Sequence, residues 1–310
     1  MIFLTGASGF IGSHVTEQLR GECRSLLRGK TATKSDRYFV INSFSKNTDY
    51  DGAFVGIDAI IHLGGLAHSK SHDENEYREI NVYATLNLAE QASKAGVKRF
   101  VFVSSVGVNG SCSDAMPFTC SNAPNPHNCY AQSKHDAEVG LQHIAERTGL
   151  ELVIIRPTLV YGRGAPGSFN TLLKLIKGVP ILPFGCSNNR KDFISVQNLA
   201  DLLVTCAIHP GAAGHIFLAS DGETVSIKQF TNAIAHGLGK DVIQLPIPVS
   251  LIRLVGRLTR RSAMIEQLYG NLEVDSSNIK DVLGWSPPLT MKQAMTTLCD
   301  SGVKVNDPFN

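Results

Sequence analysis

A glycine-rich turn at the start of the chain limits its fold more than any other feature. Gly6, Gly9 and Gly12 follow the apolar run 2–4, and a helical pattern with one apolar face covers 13–20. A strand, a tight turn and a helix start form an anion site, because unpaired backbone N–H groups and the positive end of the helix dipole point the same way. Glycine lets the backbone turn sharply and approach a pyrophosphate closely. The stretch predicts dinucleotide binding, although its G-x-x-G-x-x-G spacing differs from the common G-x-G-x-x-G form.

Short apolar runs alternate with helical patterns through the first half of the chain. After 2–4, candidate strands cover 23–27, 38–41, 59–63, 100–103 and 152–155, and candidate helices cover 76–95 and 130–147. Unbroken apolar strands that alternate with helices are typical of a parallel sheet covered on both faces. We therefore predict an α/β fold with a doubly wound parallel (Rossmann) sheet that binds ligands at the carboxyl ends of its strands.

The sequence changes character after Pro157, where prolines and glycines become denser and elements shorter, with helical patterns at 196–207, 227–238 and 248–261. We predict a dinucleotide-binding domain over 1–160, to which some later segments return. A smaller substrate-binding lobe is expected over 161–310. The pattern at 248–261 is apolar and basic. Contact with a membrane surface is one interpretation of it, and a solvated, partly buried helix of the second lobe is the one we favour.

Composition excludes several classes of protein. The chain has 310 residues, 43% of them hydrophobic and 18% charged, as in an ordinary globular protein, and its net charge of +2 is too small to indicate nucleic-acid binding. It has no apolar run long enough for a transmembrane helix and no basic leader, so we expect a cytoplasmic protein without stable membrane insertion. The seven cysteines are scattered without a C-x-x-C pair. They are expected to be free thiols, and no metal site is predicted.

Two further stretches carry candidate chemistry. Tyr130 and Lys134 are spaced i and i+4, so that both side chains leave one face of the candidate helix. A neighbouring ammonium favours the phenolate and lowers its pKa, which makes the pair a candidate proton donor or acceptor for a carbonyl and its alcohol. Ser104 and Ser105 follow a candidate strand, where a hydroxyl can bond a substrate oxygen. The alternatives are a surface Tyr–Lys pair and a polar turn.

Together these stretches resemble the extended short-chain dehydrogenase/reductase family, which contains sugar-nucleotide epimerases, dehydratases and reductases. The segments that match its motifs are 5–12, 62–65, 81–88, 104–110, 129–134, 156–162, 191–196 and 283–287. The sequence departs from the family pattern at several places. Gly64 and Gly65 replace two alanines, Ala84 replaces a glycine, Asn109 stands where tyrosine is usual, and Cys129 where proline is usual.

The resemblance implies roles for individual residues. Tyr130 is expected to exchange a proton with the sugar oxygen, Lys134 to lower its pKa, Ser105 to act as the catalytic hydroxyl, and Asn81 to support them. The expected cofactor-binding residues are Gly6, Ser8, Gly9, Phe10, Ile11, Gly12, Arg28, Leu63, Gly64, Gly65, Tyr130, Lys134 and Pro157. The expected substrate-binding residues are His68, Ser105, Asn170, Arg190 and Lys191. Among these, the last three are candidates for the diphosphate, which needs donors and positive charge.

The residues at the end of the second candidate strand bear on the cofactor. The segment 26–30 contains Arg28 and no acidic residue, which favours NADP(H), with NAD(H) as the alternative. The whole pattern most resembles the reductases of bacterial surface polysaccharide (O-antigen) synthesis. These transfer hydride to C4 of a UDP-2-acetamido-2,6-dideoxy-4-keto-hexose, giving UDP-N-acetylquinovosamine or its C4 epimer.

Two other functions stay open. One is a UDP-glucose or UDP-N-acetylglucosamine 4-epimerase with tightly bound NAD, since the same residues serve both reactions. The other, more remote, is a non-enzymatic dinucleotide-binding sensor. The resemblance also implies a homodimer formed through the helices predicted at 76–95 and 130–147.

Overall fold

A seven-stranded parallel sheet forms the centre of the molecule in a computed structural model that describes residues 1–29, 36–67, 73–260 and 262–299. Its members are β1 (Ile2–Thr5), β2 (Cys23–Arg28), β3 (Tyr38–Ile41), β4 (Ala59–His62), β5 (Arg99–Val103), β6 (Glu151–Pro157) and β10 (Ile216–Ala219). The strand order is β3-β2-β1-β4-β5-β6-β10, and every neighbouring pair is parallel. The predicted doubly wound Rossmann sheet is confirmed.

Helices cover both faces of this sheet. Those of the first half are α1 (Phe10–Gln18), α2 (Glu74–Tyr77), α3 (Thr85–Lys94) and α4 (Cys129–Thr148). In β1, Leu4 packs into one buried cluster and Phe3 into the cluster on the other face. Because successive side chains of a strand point to opposite faces, a strand covered on both sides must be apolar throughout.

Two predicted helices differ from those in the structure. The pattern at 76–95 is interrupted by a π-helical turn, Arg78–Ala84, between α2 and α3. The pattern at 248–261 ends early because Arg260 adopts a left-handed backbone conformation with φ 57°. It yields α8 (Val249–Leu258), and α9 (Ser262–Tyr269) follows as a separate helix.

The second half of the chain builds a third cluster around Phe169, Phe193 and Phe230. Its elements include the strands β7 (Leu159–Tyr161), β8 (Ile181–Leu182), β9 (Phe193–Ser195) and β11 (Ile243–Gln244), and the helices α5 (Gly167–Gly178), α6 (Val196–Ile208), α7 (Ile227–Gly237), α10 (Ser277–Leu283) and α11 (Met291–Thr296). The ribbons β7–β9 and β8–β11 are each parallel. Two elements of this half return to the first: β10 pairs with β6, and α6 packs against the sheet.

Candidate active site

The glycine-rich turn joins β1 to α1 at the carboxyl edge of the sheet. A Cβ on Gly12 would lie 2.0 Å from the Gly6 carbonyl oxygen, so the turn closes too tightly for a side chain there. Gly6 itself has φ +70°, and a Cβ would meet the Leu63 carbonyl carbon at 3.0 Å. Gly9 caps α1 without a side chain. The N–H groups of the first helical turn, from Phe10 onward, have no intrahelical acceptor, and this cradle fits a pyrophosphate.

The ends of β1 and β4 are locked together by a buried network that the sequence did not reveal. The Thr5 hydroxyl oxygen accepts from the N–H groups of Leu63 (3.1 Å) and Gly64 (2.9 Å). It lies 2.7 Å from His62 Nδ1, and His62 Nε2 lies 2.9 Å from the Thr85 hydroxyl. Since Thr5 already accepts twice, it donates its proton to Nδ1, and His62 is protonated on Nε2. Burial lowers the pKa of His62 to about 3, so the ring is neutral.

Asn81, in the π-helical turn, connects the loop after β4 to α4. Its Oδ1 accepts from the Leu66 N–H at 2.7 Å, and its Nδ2 donates to the Ser133 hydroxyl at 3.0 Å. Gly65, with φ +151°, passes so close that a Cβ would stand 2.8 Å from Asn81 Oδ1 and 3.8 Å from Lys134 Nζ. Gly65, one of the two glycines that replace an alanine of the family pattern, is therefore required by this local geometry.

Tyr130 and Lys134 lie in the first turns of α4, which begins after Asn128. The Asn128 Oδ1 caps the helix by accepting from the Ala131 N–H at 2.8 Å. Lys134 Nζ donates to the Val103 carbonyl at 3.0 Å and lies 4.8 Å from the centre of the Phe102 ring. These contacts place the ammonium at the end of β5, beside Gly65.

The pKa values of this pair differ from the expectation. Burial raises the pKa of Tyr130 to about 12, with a further contribution from Tyr77, whose ring lies 6.0 Å away. Burial lowers the pKa of Lys134 to about 8, partly opposed by Glu138. The structure therefore does not show the predicted lowering of the phenol pKa by Lys134, because burial raises that pKa and the Lys134 Nζ is bonded to the Val103 carbonyl.

Ser105 begins the turn Val106–Val108 after β5, and its hydroxyl accepts from the Gly107 N–H at 3.0 Å. A Cβ on Gly107 would lie 3.4 Å from the Ala131 Cβ, so this turn packs directly on the start of α4. Ser104 is buried, and its hydroxyl has no hydrogen-bond partner among the described residues. Ser105, half-buried, is the more accessible of the two.

The remaining cofactor candidates lie along the same edge of the sheet. Arg28 ends β2 with an exposed side chain, Pro157 ends β6, and Ser8 is exposed in the glycine-rich turn. Phe10 and Ile11 form the half-buried first turn of α1. This geometry places the candidates around one edge but assigns none of them a role.

The structure does not gather the substrate candidates into one place. Arg190 is 64% exposed in its side chain and donates to Glu273, and it lines a cavity of about 470 Å³ in the second lobe. Asn170, on α5, and Lys191 do not line that cavity. Lys191 Nζ donates to the Gln267 carbonyl at 2.6 Å, and burial lowers its pKa to about 8. His68 lies outside the described residues.

The second-lobe cavity has a lining that the sequence motifs do not indicate. Arg253 from α8, together with Glu266 and Tyr269 from α9, lines it beside Arg190. The arginines of 248–261 were visible in the sequence, but only the folded lobe brings Arg253 and Arg190 together. Among the described residues, no helix could span a membrane and no cluster of three or more His, Cys, Asp or Glu could hold a metal ion.

Sequence and structure comparisons define the class of protein. A profile of the NAD-dependent epimerase/dehydratase family matches residues 2–219, and the chain belongs to this family. It is 36% identical to a UDP-glucose 4-epimerase of Vibrio cholerae, an alignment that covers 99% of this chain and 96% of the relative.

Solved structures with the same fold include two epimerases from Bacillus cereus. UDP-N-acetylglucosamine 4-epimerase superposes with a TM-score of 0.76 at 18% identity, covering 96% of this chain and 97% of the other. UDP-glucuronic acid 4-epimerase in complex with NAD superposes with a TM-score of 0.74 at 20% identity, covering 96% and 94%.

Proposed function

We propose that this enzyme is a nucleotide-sugar 4-epimerase that acts on a UDP-hexose or UDP-N-acetylhexosamine with NAD held in the glycine-rich turn. The observation that carries the proposal is the position of Tyr130, Lys134 and Ser105. Their elements meet at the carboxyl edge of β5, beside the loop of Gly65 and the turn after β1. Support also comes from the full-length relative, which is a UDP-glucose 4-epimerase, and from the family profile. These comparisons favour epimerisation over the reduction expected from sequence.

In this proposal, individual residues have the following roles. The N–H groups of the first turn of α1 bind the pyrophosphate, and Lys134 and Tyr130 bind the nicotinamide ribose. When bound, the nicotinamide supplies reversible hydride exchange at C4. In its deprotonated form Tyr130 would accept the proton of the sugar 4-hydroxyl, and the resulting phenol would return it, while Ser105 holds the same oxygen by a hydrogen bond.

One observation favours a second candidate. Arg28 at the end of β2 is exposed, and β2 contains no acidic residue to bind the adenosine ribose hydroxyls. A basic residue there suits the 2′-phosphate of NADP. The second candidate is therefore an NADPH-dependent reductase of a UDP-2-acetamido-2,6-dideoxy-4-keto-hexose, with the expected role in O-antigen synthesis.

A single assay series separates the two. Purified protein is incubated with UDP-glucose or UDP-N-acetylglucosamine without added cofactor, and the C4 epimer is followed by NMR. Formation of the epimer, together with NAD released on denaturation, supports the epimerase. If no epimer forms, and the 4-keto sugar instead consumes NADPH stoichiometrically to give a 4-hydroxy product, the reductase is correct and the epimerase is excluded.

The proposal includes a cytoplasmic homodimer formed through the outer faces of α3, α4 and the π-helical turn. Tyr83 (44% exposed) and Val139 (38% exposed) are apolar side chains left uncovered on these elements. Sedimentation equilibrium is expected to give twice the mass of the chain, and Val139→Asp to give a monomer. A monomeric wild-type protein would contradict this part of the proposal.

A further inference from the structure

The outer face of α8 is apolar and largely exposed in the described structure. Its exposed fractions are 51% at Leu251, 51% at Leu254, 50% at Val255 and 77% at Leu258. The spacing i, i+3, i+4, i+7 places these four side chains in one stripe about 100° wide, which we call the outer stripe. A stripe of this kind normally faces a core or a partner.

The opposite face of α8 already accounts for its packing on the lobe. Val249 and Ile252 are partly buried against the third cluster, and Gly256 packs so closely that a Cβ would lie 2.3 Å from Ile265 Cδ1. The helix is therefore apolar on two sides, and only one side serves the fold. The outer stripe needs a different explanation.

The charged residues of α8 indicate which kind of surface the outer stripe would bind. The segment 249–260 contains three arginines and no acidic residue. Arg253 pairs with Glu266 of α9, whereas Arg257 and Arg260 are exposed and have no ion pair within the described part of the chain. Arg257 lies one turn after Arg253, so the positive charge flanks the outer stripe along one side.

We infer that α8 docks the second lobe on an anionic lipid surface. An amphipathic helix with leucines on one face and arginines beside them lies in the plane of the bilayer interface, its apolar side chains among the acyl chains and its guanidinium groups among the phosphates. The ribbon just before the helix adds a further exposed apolar residue, Ile243, at 62% exposure. Val249, which faces the lobe, and Arg253 line the second-lobe cavity, so α8 lies between that cavity and the docked surface.

This inference does not depend on the reaction at Tyr130. It concerns a surface remote in sequence from α4, and its failure would leave the proposed epimerase intact. It is also distinct from membrane insertion, since α8 has only 10 residues and lies on the surface of the lobe. A helix that spans the hydrocarbon core needs about 20 residues.

The test is co-sedimentation of the full chain with vesicles of phosphatidylcholine alone and with vesicles containing about one third phosphatidylglycerol. The wild type is expected to bind the anionic vesicles and to be released by high salt, because screening weakens attraction to the surface. Arg257→Gln is expected to weaken binding about fivefold, as one basic residue near an anionic surface contributes about that factor. Leu254→Ser combined with Leu258→Ser is expected to weaken it at least as much.

Matched controls separate docking from general stickiness. Ile208→Ser removes an equally exposed apolar side chain (69%) on α6, and Lys94→Gln removes an exposed charge on α3. Both are expected to bind like the wild type, and all variants to keep wild-type turnover in solution, which shows that they fold. Failure of the wild type to bind anionic vesicles, or equal loss in Ile208→Ser, would overturn the inference. Conversion of an oligomer to a smaller species by the double leucine variant would also overturn it, in favour of a second copy of the chain.

Discussion

Lys134 is charged in the interior, and that charge opposes folding. The residue is 6% exposed, and its ammonium donates to the Val103 carbonyl. Burial lowers its pKa from 10.5 to about 8. Below pH 8 both folded and unfolded chains carry the proton, and the full penalty of burying the charge is present. Between pH 8 and 10.5 the unfolded chain binds more protons, so this group makes the free energy of unfolding rise with pH in that window.

Lys134→Met tests this electrostatic argument. At pH 7 the variant is expected to be more stable than the wild type by up to about 3 kcal/mol, the equivalent of a pKa shift of that size. The gain should shrink steadily between pH 8 and 10.5, because the folded wild-type amine is neutral there while the unfolded chain loses its preference for the proton. Urea unfolding at pH 7, 8.5 and 10 measures it, with Lys94→Met as the exposed control. A difference that does not change with pH would contradict the prediction.

Tyr130 has the opposite perturbation, and its hydroxyl is neutral at physiological pH in the folded chain. Tyr130→Phe removes the proposed proton carrier and leaves the ring in place against Tyr77. We expect kcat to fall about 10²–10⁴-fold, the usual contribution of a positioned acid-base group. The variant should still release dinucleotide on denaturation, because Lys134 and the turn after β1 continue to bind it. Tyr83→Phe, on an exposed tyrosine, is the control, and retained turnover in Tyr130→Phe would remove Tyr130 from the mechanism.

At the scale of elements, a buried ion pair joins β6 to α4 and, through Asn109, to the turn that Ser105 begins. Arg156 of β6 donates through Nε and Nη2 to both carboxylate oxygens of Glu138 on α4, at 2.9 and 2.5 Å. Its Nη1 donates to Asn109 Oδ1 at 3.0 Å, just after the turn that Ser105 begins. Asn109, where the family has tyrosine, thus links Arg156 to the loop that follows through its bond to the Thr119 carbonyl.

Removing one partner of this ion pair is expected to destabilise the protein more than removing both partners. Arg156→Met leaves Glu138 buried and unpaired and should lower the free energy of unfolding by about 3–5 kcal/mol. The double variant Arg156→Met, Glu138→Met should recover a large part of that loss, since neither charge remains. Urea unfolding of the wild type, Arg156→Met and the double variant measures how much of the lost free energy of unfolding is recovered. If the single and double variants were equally unstable, the pair would not be acting as a unit.

The sequence predicted elements whose determinants are local. The glycine-rich turn and the six strands of the first half follow from residues adjacent in the chain, and each was placed within a few positions. The π-helical turn at Arg78–Ala84 was not predicted. A short π-helical stretch hardly changes the apolar pattern over 76–95, which therefore reads as one continuous α-helix. The break at Arg260 was missed because it depends on one backbone angle.

Long-range partners could not be predicted for a different reason. Thr5, His62 and Thr85 were each visible, but nothing in their separation along the chain indicates that β1, β4 and α3 bring them into one network. The same holds for Arg156 with Glu138. The lowered phenol pKa was predicted from the i, i+4 spacing alone, whereas the structure shows burial as the larger effect.

At the scale of the whole molecule, elements from the second half of the sequence pack into the first half, so no single position along the chain separates the two. Leu199, Leu202 and Leu203 of α6 pack into the cluster beneath the first-half sheet. On the same helix, Asn198 donates to Asp221 and to the Leu289 carbonyl, at 2.7 and 2.8 Å, and accepts from the Leu289 N–H. We propose that the domain boundary at residue 160 divides functions, with binding of the dinucleotide before it and of the sugar nucleotide after it.

Trp285, the only tryptophan in the sequence, reports on this junction. It lies in the same cluster as α6, 9% exposed, and its Nε1 donates to Asp201 Oδ1 at 2.9 Å. Because α6 belongs to both halves, we expect one cooperative unfolding transition, with tryptophan fluorescence and far-ultraviolet circular dichroism coinciding along a urea titration. Trp285→Phe, which loses the hydrogen bond, should move the circular dichroism midpoint down by the equivalent of about 1 kcal/mol. Two separated midpoints in the wild type would show that the lobes unfold independently and that α6 does not couple them.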